Sequence, residues 1–502
     1  MDPFGYLDSL GMFRMRPGLA RIRTLSWELG SPEASIPSVL VGGTNGKGST
    51  CYMTGAIMDA IGLRTLVYTS PHMLSPTERI LVNGIEVSRD VLGRSIEKVR
   101  SISERIPDEE DRPTYFEVLT ASAFDIAREE KVDCMIAEVG LGGRFDATNI
   151  LTPSACAITS ISLDHTEVLG EDVRSISSEK AGIVKASTPL ILGPLEGAGE
   201  EANKVRRNII GICSQNGSPV IAIQEAGEET YTDLLEDSDV PDWRIVSVSS
   251  SITRSGTNGE FSLACPDNPL QRIPLLSLLD DLVPGSFFTP LIGRHQAINM
   301  ASALSLSSIL LPYAISMKNI REGAHEYLSY MLDADPDPIL GSFGMERIRL
   351  GMHKGLSSVR SRDRFEIVDL GGRTLILDGG HNEESGQTIA RTFSELFPGS
   401  KAHILIAMSE EKDHIAFLSH LSGIAASMTV TVANAVRGMR PFRIVGAASS
   451  SGGSYPIKVR EDPSKAVEEW IGSIRRGEIG LACGTFYLYS HLEKGRAQWT
   501  EN

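Results

Sequence analysis

The residues best suited to chemistry come early, in Gly42-Gly43-Thr44-Asn45-Gly46-Lys47-Gly48-Ser49-Thr50, between an apolar run and a helical pattern. Glycines in such a turn let backbone N–H groups point at an anion, and the helix N-terminus adds a positive dipole. A lysine then neutralises the β and γ oxygens of a nucleoside triphosphate, and a hydroxyl sits beside Mg²⁺. Lys47 and Ser49 are those residues. Gly48 separates them, and the leading glycines stand one position closer than in the common GxxxxGK[ST] spacing. The plainer alternative, a Gly-rich turn with a surface lysine, fits the strand-before, helix-after context less well.

Other polar residues fall where apolar runs end. Glu138 closes Val132–Ala137, and the carboxyl ends of parallel strands are where open sheets place ligand groups. A carboxylate opposite Ser49 suits a Mg²⁺ site of oxygen ligands; a loop or capping carboxylate is the alternative. Asp164-His165 follows the run Ala155–Ile161, and a lone histidine there is more often a structural hydrogen-bonder. Lys180, in Ser178-Glu179-Lys180-Ala181-Gly182, reads by itself as a solvated helix residue. Gln296 and Asn299, three apart, share a helix face that is either polar surface or functional. Asp378 ends Thr374–Leu377, and His381 follows in a Gly-rich turn.

The elements that must position these groups are α/β in character. Pro37–Val41 predicts a short strand, and Met53, Ala56, Ile57, Ala60 and Ile61 fall at helical spacing. Leu66–Tyr68, Val132–Ala137 and Ala155–Ile161 predict further strands, with a helix over Phe116–Glu130. Alternation of this kind implies a mostly parallel sheet covered by helices. Between about 196 and 290 the pattern weakens, and the acidic, turn-rich Glu196–Ala202 and Glu225–Asp239 predict solvated loops or an edge-strand excursion. A helix returns at His295–Leu311, and Asp333–Pro338 predicts a loop near a domain junction. A second strand series runs through Phe365–Leu370, Thr374–Leu377, His403–Met408, Met428–Val432, Ile457–Val459 and Ile479–Cys483. Ser449–Ser454 predicts a Ser/Gly loop, and two α/β domains are expected.

Composition narrows the function classes. At 502 residues, 41% hydrophobic and 22% charged, the chain has material for two or three globular cores. A net charge of −16 argues against a nucleic-acid partner and means that an anionic substrate needs local cations and backbone donors. Met1–Ala20 has no signal-peptide pattern, and no run of about 18 apolar residues is found, so no membrane-spanning helix is expected. Cysteines 51, 134, 156, 213, 265 and 483 form no CxxC pair, which fits a reducing, cytoplasmic compartment.

The GTNGKGS form of the phosphate loop resembles that of the Mur ligase superfamily, specifically its folylpolyglutamate synthase/dihydrofolate synthase branch. Further blocks resemble that branch in order: Gly18–Ile22 with Leu29–Pro32, then Thr69-Ser70-Pro71-His72 with Glu78-Arg79-Ile80 and Val82-Asn83-Gly84. Thr114–Glu117 with Thr120-Ala121 comes next, then the most distinctive block, Glu138-Val139-Gly140-Leu141-Gly142-Gly143-Arg144-Phe145-Asp146-Ala147-Thr148-Asn149. Asp164-His165, Glu179–Ile183, Gly293–Gln296 with Asn299, and Asp378-Gly379-Gly380-His381-Asn382 complete a match running from about residue 16 to 488. Pro76-Thr77, Arg362-Asp363-Arg364 and Gly380 depart from the family's usual Phe-Asn, Pro-Gly-Arg and alanine, and none removes a metal or phosphate ligand.

The resemblance implies a P-loop ATPase-like domain with a mostly parallel sheet over 1–360 and a smaller Rossmann-like α/β domain over 361–502. It implies ATP on Gly43, Thr44, Asn45, Gly46, Lys47, Gly48, Ser49 and Thr50, with Asn299 facing the adenine. Arg364, Asp378 and His381 would join from the second domain. Ser49 and Glu138 would hold one Mg²⁺, and His165 with Glu138 a second; Lys180 would be carbamylated, a cation turned into a carboxylate-like metal ligand. Lys47, Lys180 and His165 are the expected catalytic residues, and Ser70, His72, Arg144 and Asp146 the expected substrate residues. The expected reaction joins L-glutamate to a folate or pteroate carboxylate through an acyl phosphate, in a monomer with no nucleic-acid or membrane partner. A Mur-type amide ligase acting on a UDP-linked cell-wall precursor is the nearest alternative. A P-loop kinase or nucleotide switch, and a non-catalytic scaffold, are the more distant ones.

Overall fold

The computed structural model describes residues 2–12, 16–162, 172–195, 200–266, 273–322, 340, 343–410, 413–432, 438–452 and 454–500. Their strands in chain order are β1 (Ser38–Gly42), β2 (Thr65–Tyr68), β3 (Ile80–Val82), β4 (Ile85–Glu86), β5 (Cys134–Glu138) and β6 (Ala155–Ile158). Next come β7 (Leu190–Leu192), β8 (Val220–Glu225), β9 (Trp243–Thr253), β10 (Gly256–Ala264) and β11 (Gly285–Thr289). The last are β12 (Glu366–Leu370), β13 (Arg373–Leu377), β14 (Ala402–Ile406), β15 (Ala425–Val430), β16 (Ile457–Val459) and β17 (Ile479–Cys483).

They form two sheets. The larger has the order β11-β10-β9-β8-β7-β6-β1-β5-β2-β3-β4, the smaller β12-β13-β17-β14-β15-β16. In the larger sheet β1 lies between β5 and β6, parallel to both, with Val41 opposite Glu138 and Gly42 opposite Ile158. Every residue of β1, β5 and β6 is buried, as expected for strands covered on both faces. The three carboxyl ends thus come together. The phosphate loop, Glu138 and the Thr159–Ser162 segment all leave the sheet there.

The chain divides into two compact units. One comprises Met1–Ser249, Gly259–Phe288 and Ala297–Val359; the other comprises Ser250–Asn258, Thr289–Gln296 and Arg360–Asn502. The ranges 1–360 and 361–502 omit the two short segments that the second unit takes from before residue 300.

Two expectations are corrected. Within the weak region between 196 and 290 the described residues are largely regular: a helix over Glu200–Gln215, a short one over Thr232–Glu236 within the acidic stretch, and strands β8 to β11. The acidic residues obscured this, because they decorate the solvent side of elements whose apolar side (Val205, Ile209, Ile210, Leu235) is buried. The helix predicted over His295–Leu311 runs from Arg294 to Arg321. An 18-residue window of it has a mean hydropathy of 1.5, enough by length and composition alone to cross a membrane. Its apolar window is 94% buried inside the protein, so it serves as a core helix. Asp333–Pro338 lies outside the described residues.

Candidate active site

The phosphate loop is held by the segment that follows β6. Thr44 N–H donates to the Ser160 carbonyl (2.9 Å) and Asn45 N–H to Ser160 Oγ (3.0 Å). Thr159 Oγ1 donates to the Asn45 carbonyl (2.6 Å), and Ser162 N–H donates to Thr44 Oγ1 (3.1 Å). These bonds occupy the loop's outward groups and leave its shape fixed. Two glycines are required by that shape. Gly43 has φ +138°, and a Cβ there would stand 2.1 Å from Thr159 Oγ1; Gly46 has φ +86°, and its Cβ would stand 2.5 Å from Asn299 Oδ1. Asn299 therefore packs directly against the loop. Lys47 begins the helix Lys47–Ile61, so the N–H groups of its first turn, those of Lys47, Gly48 and Ser49, belong to the loop, while Thr50 N–H closes the first helical bond on the Gly46 carbonyl (3.0 Å).

Lys47 Nζ donates to the Thr44 carbonyl (3.0 Å) and lies 3.9 Å from Glu138 Oε1. Glu138 is 4% exposed, and its Oε2 accepts from Ser70 N–H (3.0 Å). Ser49 is buried at the start of the helix. Lys180, at the last turn of the helix Val173–Ala181, is buried and donates from Nζ to the Gly43 carbonyl (2.8 Å). Asp164 and His165 lie outside the described residues.

Next to Glu138 runs the loop from β2 to β3. Ser70-Pro71 is a cis peptide, and His72 is buried. His72 Nδ1 accepts from Arg79 Nε (2.9 Å), and burial, reinforced by the Arg79 charge, pushes the imidazole down to about 3, so it stays neutral. Arg144 is half-exposed and pairs with Glu179 (3.4 Å). Asp146 is turned inward. Its Oδ1 accepts from Thr148 N–H (3.0 Å) and Oγ1 (2.6 Å), and its Oδ2 from Leu141 N–H (3.0 Å). Both oxygens thus hold the Gly140–Thr148 loop in shape.

In the second unit Asp378 Oδ2 accepts from Phe365 N–H (2.9 Å) and Oδ1 from Gly380 N–H (2.7 Å). His381 Nδ1–H donates to the Gly379 carbonyl (2.9 Å), and the ring meets Phe486 edge-on. Arg364 stacks over Phe486 at 4.8 Å. Asp363 is buried, and burial together with the Asp378 charge pushes its carboxyl well above the ordinary range. His295 is pushed down to about 4 by burial and then by the Arg364 charge. Its Nε2 contacts Gln296 Nε2 (3.0 Å).

Comparison with known proteins points to one group of ligases. Residues 363–486 match the Mur ligase, glutamate ligase domain. Over 96% of its length the chain is 28% identical to the dihydrofolate synthase/folylpolyglutamate synthase of Bacillus subtilis, covering 95% of that protein. It is 44% identical over 72% of its length to a folylpolyglutamate synthase of Arabidopsis thaliana, covering 51% of that protein. A solved bifunctional folylpolyglutamate synthase/dihydrofolate synthase with Mn, AMPPNP and L-glutamate bound superposes with a TM-score of 0.68 at 25% identity, over 98% of each chain. The chain belongs to the folylpolyglutamate synthase/dihydrofolate synthase family of Mur ligases.

Within this Mur ligase the structure brings together Gly43–Thr50, Glu138, Lys180, Asn299 and Ser70 in the first unit, and Arg364, Asp378 and His381 in the second. Five contributors were given no role by the sequence. Thr159, Ser160 and Ser162 fasten the phosphate loop, and a polar run directly after an apolar strand was the available signal. Glu78 accepts from Met73, Leu74 and Ser75 N–H groups, which builds the turn that carries Arg79. Arg79 itself read only as part of a family block.

Proposed function

We propose that this ATP-dependent ligase joins L-glutamate to a folate-type carboxylate, with the residues around the phosphate loop activating that carboxylate. The observation that carries the reading is the packing of Lys47, Glu138 and Lys180 around one glycine loop, at the joined ends of β1, β5 and β6. The substrate carboxylate oxygen attacks the γ-phosphorus of ATP, the bond to the bridging oxygen breaks, and ADP and an acyl phosphate result. The glutamate amine then attacks the acyl carbon and loses a proton as inorganic phosphate leaves with one former carboxylate oxygen. Positioning and charge neutralisation dominate such a transfer, and Lys47 with the backbone N–H groups of the loop supplies both.

A divalent cation fits the donor set: the Glu138 carboxylate and the Ser49 hydroxyl are hard oxygen donors and would hold it. When bound it would spread the negative charge of the phosphates. We assign Lys180 to fixing the Gly43 carbonyl, and its carbamylation belongs to the same proposal, since a carbamate keeps an N–H for that bond. Lys180→Ala should lose most activity; recovery with bicarbonate and short carboxylic acids supports the carbamate, and unimpaired activity removes Lys180 from the mechanism. Asp146 acts by holding its loop, with Ser70 and His72 on the acceptor side.

The test of the whole reading is product mass. With MgATP and L-glutamate, either dihydropteroate or tetrahydrofolate should gain one glutamate. Silence with both acceptors would overturn it.

A further inference from the structure

Arg79 is the one buried cation of this region that the mechanism above leaves idle. It ends the turn Pro76–Arg79 that leads into β3 and is 4% exposed. Its Nε is spent on a neutral partner, His72 Nδ1, and its guanidinium lies over the Tyr115 ring at 5.6 Å. No described carboxylate pairs with it. The nearest in sequence, Glu78, is saturated by three backbone N–H groups. The terminal nitrogens donate to no described residue, yet they are not among the enclosed polar atoms that lack a partner, so they keep an opening.

Burying a guanidinium is unfavourable unless an anion is supplied. Here the fold supplies none, in a chain of net charge −16 where carboxylates are plentiful. The position is also specific. Thr69 N–H donates to the Arg79 carbonyl, Ser70 N–H donates to Glu138, and β3, β2 and β5 are neighbours in the sheet. Arg79 therefore stands two strands from the carboxylate assigned to the metal, on the loop that carries Ser70 and His72. The planar fork of an arginine matches a carboxylate in two parallel hydrogen bonds.

We propose that Arg79 anchors a substrate carboxylate that does not react, holding the substrate while another group of it is at the phosphate loop. This rests on the ligase reading above. Two molecules carry such a carboxylate: a folate acceptor that already has a glutamate tail, and the incoming L-glutamate. Dihydropteroate has only the carboxylate that reacts.

The experiment compares wild type with Arg79→Gln and Arg79→Lys by steady-state kinetics on tetrahydrofolate, dihydropteroate and L-glutamate. If the tail is the ligand, KM for tetrahydrofolate rises roughly 30-fold or more with little change in kcat, and KM for dihydropteroate stays put. If incoming glutamate is the ligand, its KM rises by a similar factor with both acceptors. Addition of methylguanidinium to Arg79→Ala should lower the raised KM, which a purely structural role would not produce. If Arg79→Gln does not fold, Arg79→Lys, which keeps the charge and loses the fork, carries the comparison. All KM values within about twofold of wild type in a folded variant overturn the anchor while leaving the ligase intact. Should wild type ligate neither acceptor, the ligase reading fails first. Calorimetric titration of wild type and Arg79→Lys with p-aminobenzoyl-glutamate and with L-glutamate then decides the anchor, since equal affinities for both proteins would overturn it.

Discussion

The phosphate loop of the first unit and the paired segments Asp363–Phe365 and Asp378–His381 of the second both flank strand ends, but they are stabilised in opposite ways. In the loop, glycines take the unusual backbone angles, and neighbouring side chains bind its carbonyls: Thr159 on Asn45, Lys180 on Gly43, Lys47 on Thr44. In the paired segments, residues with side chains take those angles. Asp363 has φ +59° and Phe365 φ +50°, and the Asp378 carboxylate pins them by accepting from Phe365 and Gly380 N–H groups. One site spends backbone freedom to make room for an anion. The other spends a buried carboxylate to hold an arginine-bearing segment in a strained shape.

The largest effect should come from breaking the first arrangement. Gly43→Ala puts a Cβ 2.1 Å from Thr159 Oγ1 at a φ of +138°. Nucleotide affinity should fall by about 100-fold or more, from a loop shift worth a few kcal/mol. Titration with ATP and Mg²⁺ checks this, and near-normal affinity would mean that the loop is not the nucleotide site. The second arrangement should be more forgiving. Asp378→Asn keeps one acceptor and sets an NH₂ group against a backbone N–H, which should cost about 1–3 kcal/mol in denaturant unfolding. An unchanged midpoint would show that the paired segments hold their shape without the carboxylate.

A third carboxylate sharpens the contrast because no backbone amide of the described residues supports it. Asp59, on the helix that follows the phosphate loop, accepts from Thr65 Oγ1 (2.6 Å), and burial pushes it up to about 6. The folded chain thus holds this proton more tightly than the unfolded chain, so stability falls as pH rises from about 4 to about 6 and the penalty is complete above that window. Asp59→Asn should therefore stabilise by on the order of 1–2 kcal/mol at pH 7.5 and change little below about pH 4. Equal stability at pH 7.5 would show that water reaches the carboxyl.

The same contrast explains what the sequence revealed. The phosphate loop was legible because glycine, lysine and hydroxyl have to recur at near-fixed spacing between a strand and a helix. Glu138 and Asp378 were legible as polar residues ending apolar strands. The strained pair Asp363 and Phe365 was not, since nothing in their types signals a left-handed backbone; that shape is imposed by Asp378, thirteen or more residues away. Nor did sequence reveal β9 to β11, where short apolar stretches alternate with serines and acids, or the helix Glu200–Gln215, whose solvent face dominated its composition. Arg79 was visible as a letter in a block, but its missing counter-ion is a property of the folded loop.

The most direct measurement follows an oxygen atom. With the acceptor carboxylate labelled with ¹⁸O, and MgATP and L-glutamate added, one ¹⁸O should appear in the inorganic phosphate released for each glutamate joined. Ligation with unlabelled phosphate would contradict carboxylate activation at the phosphate loop.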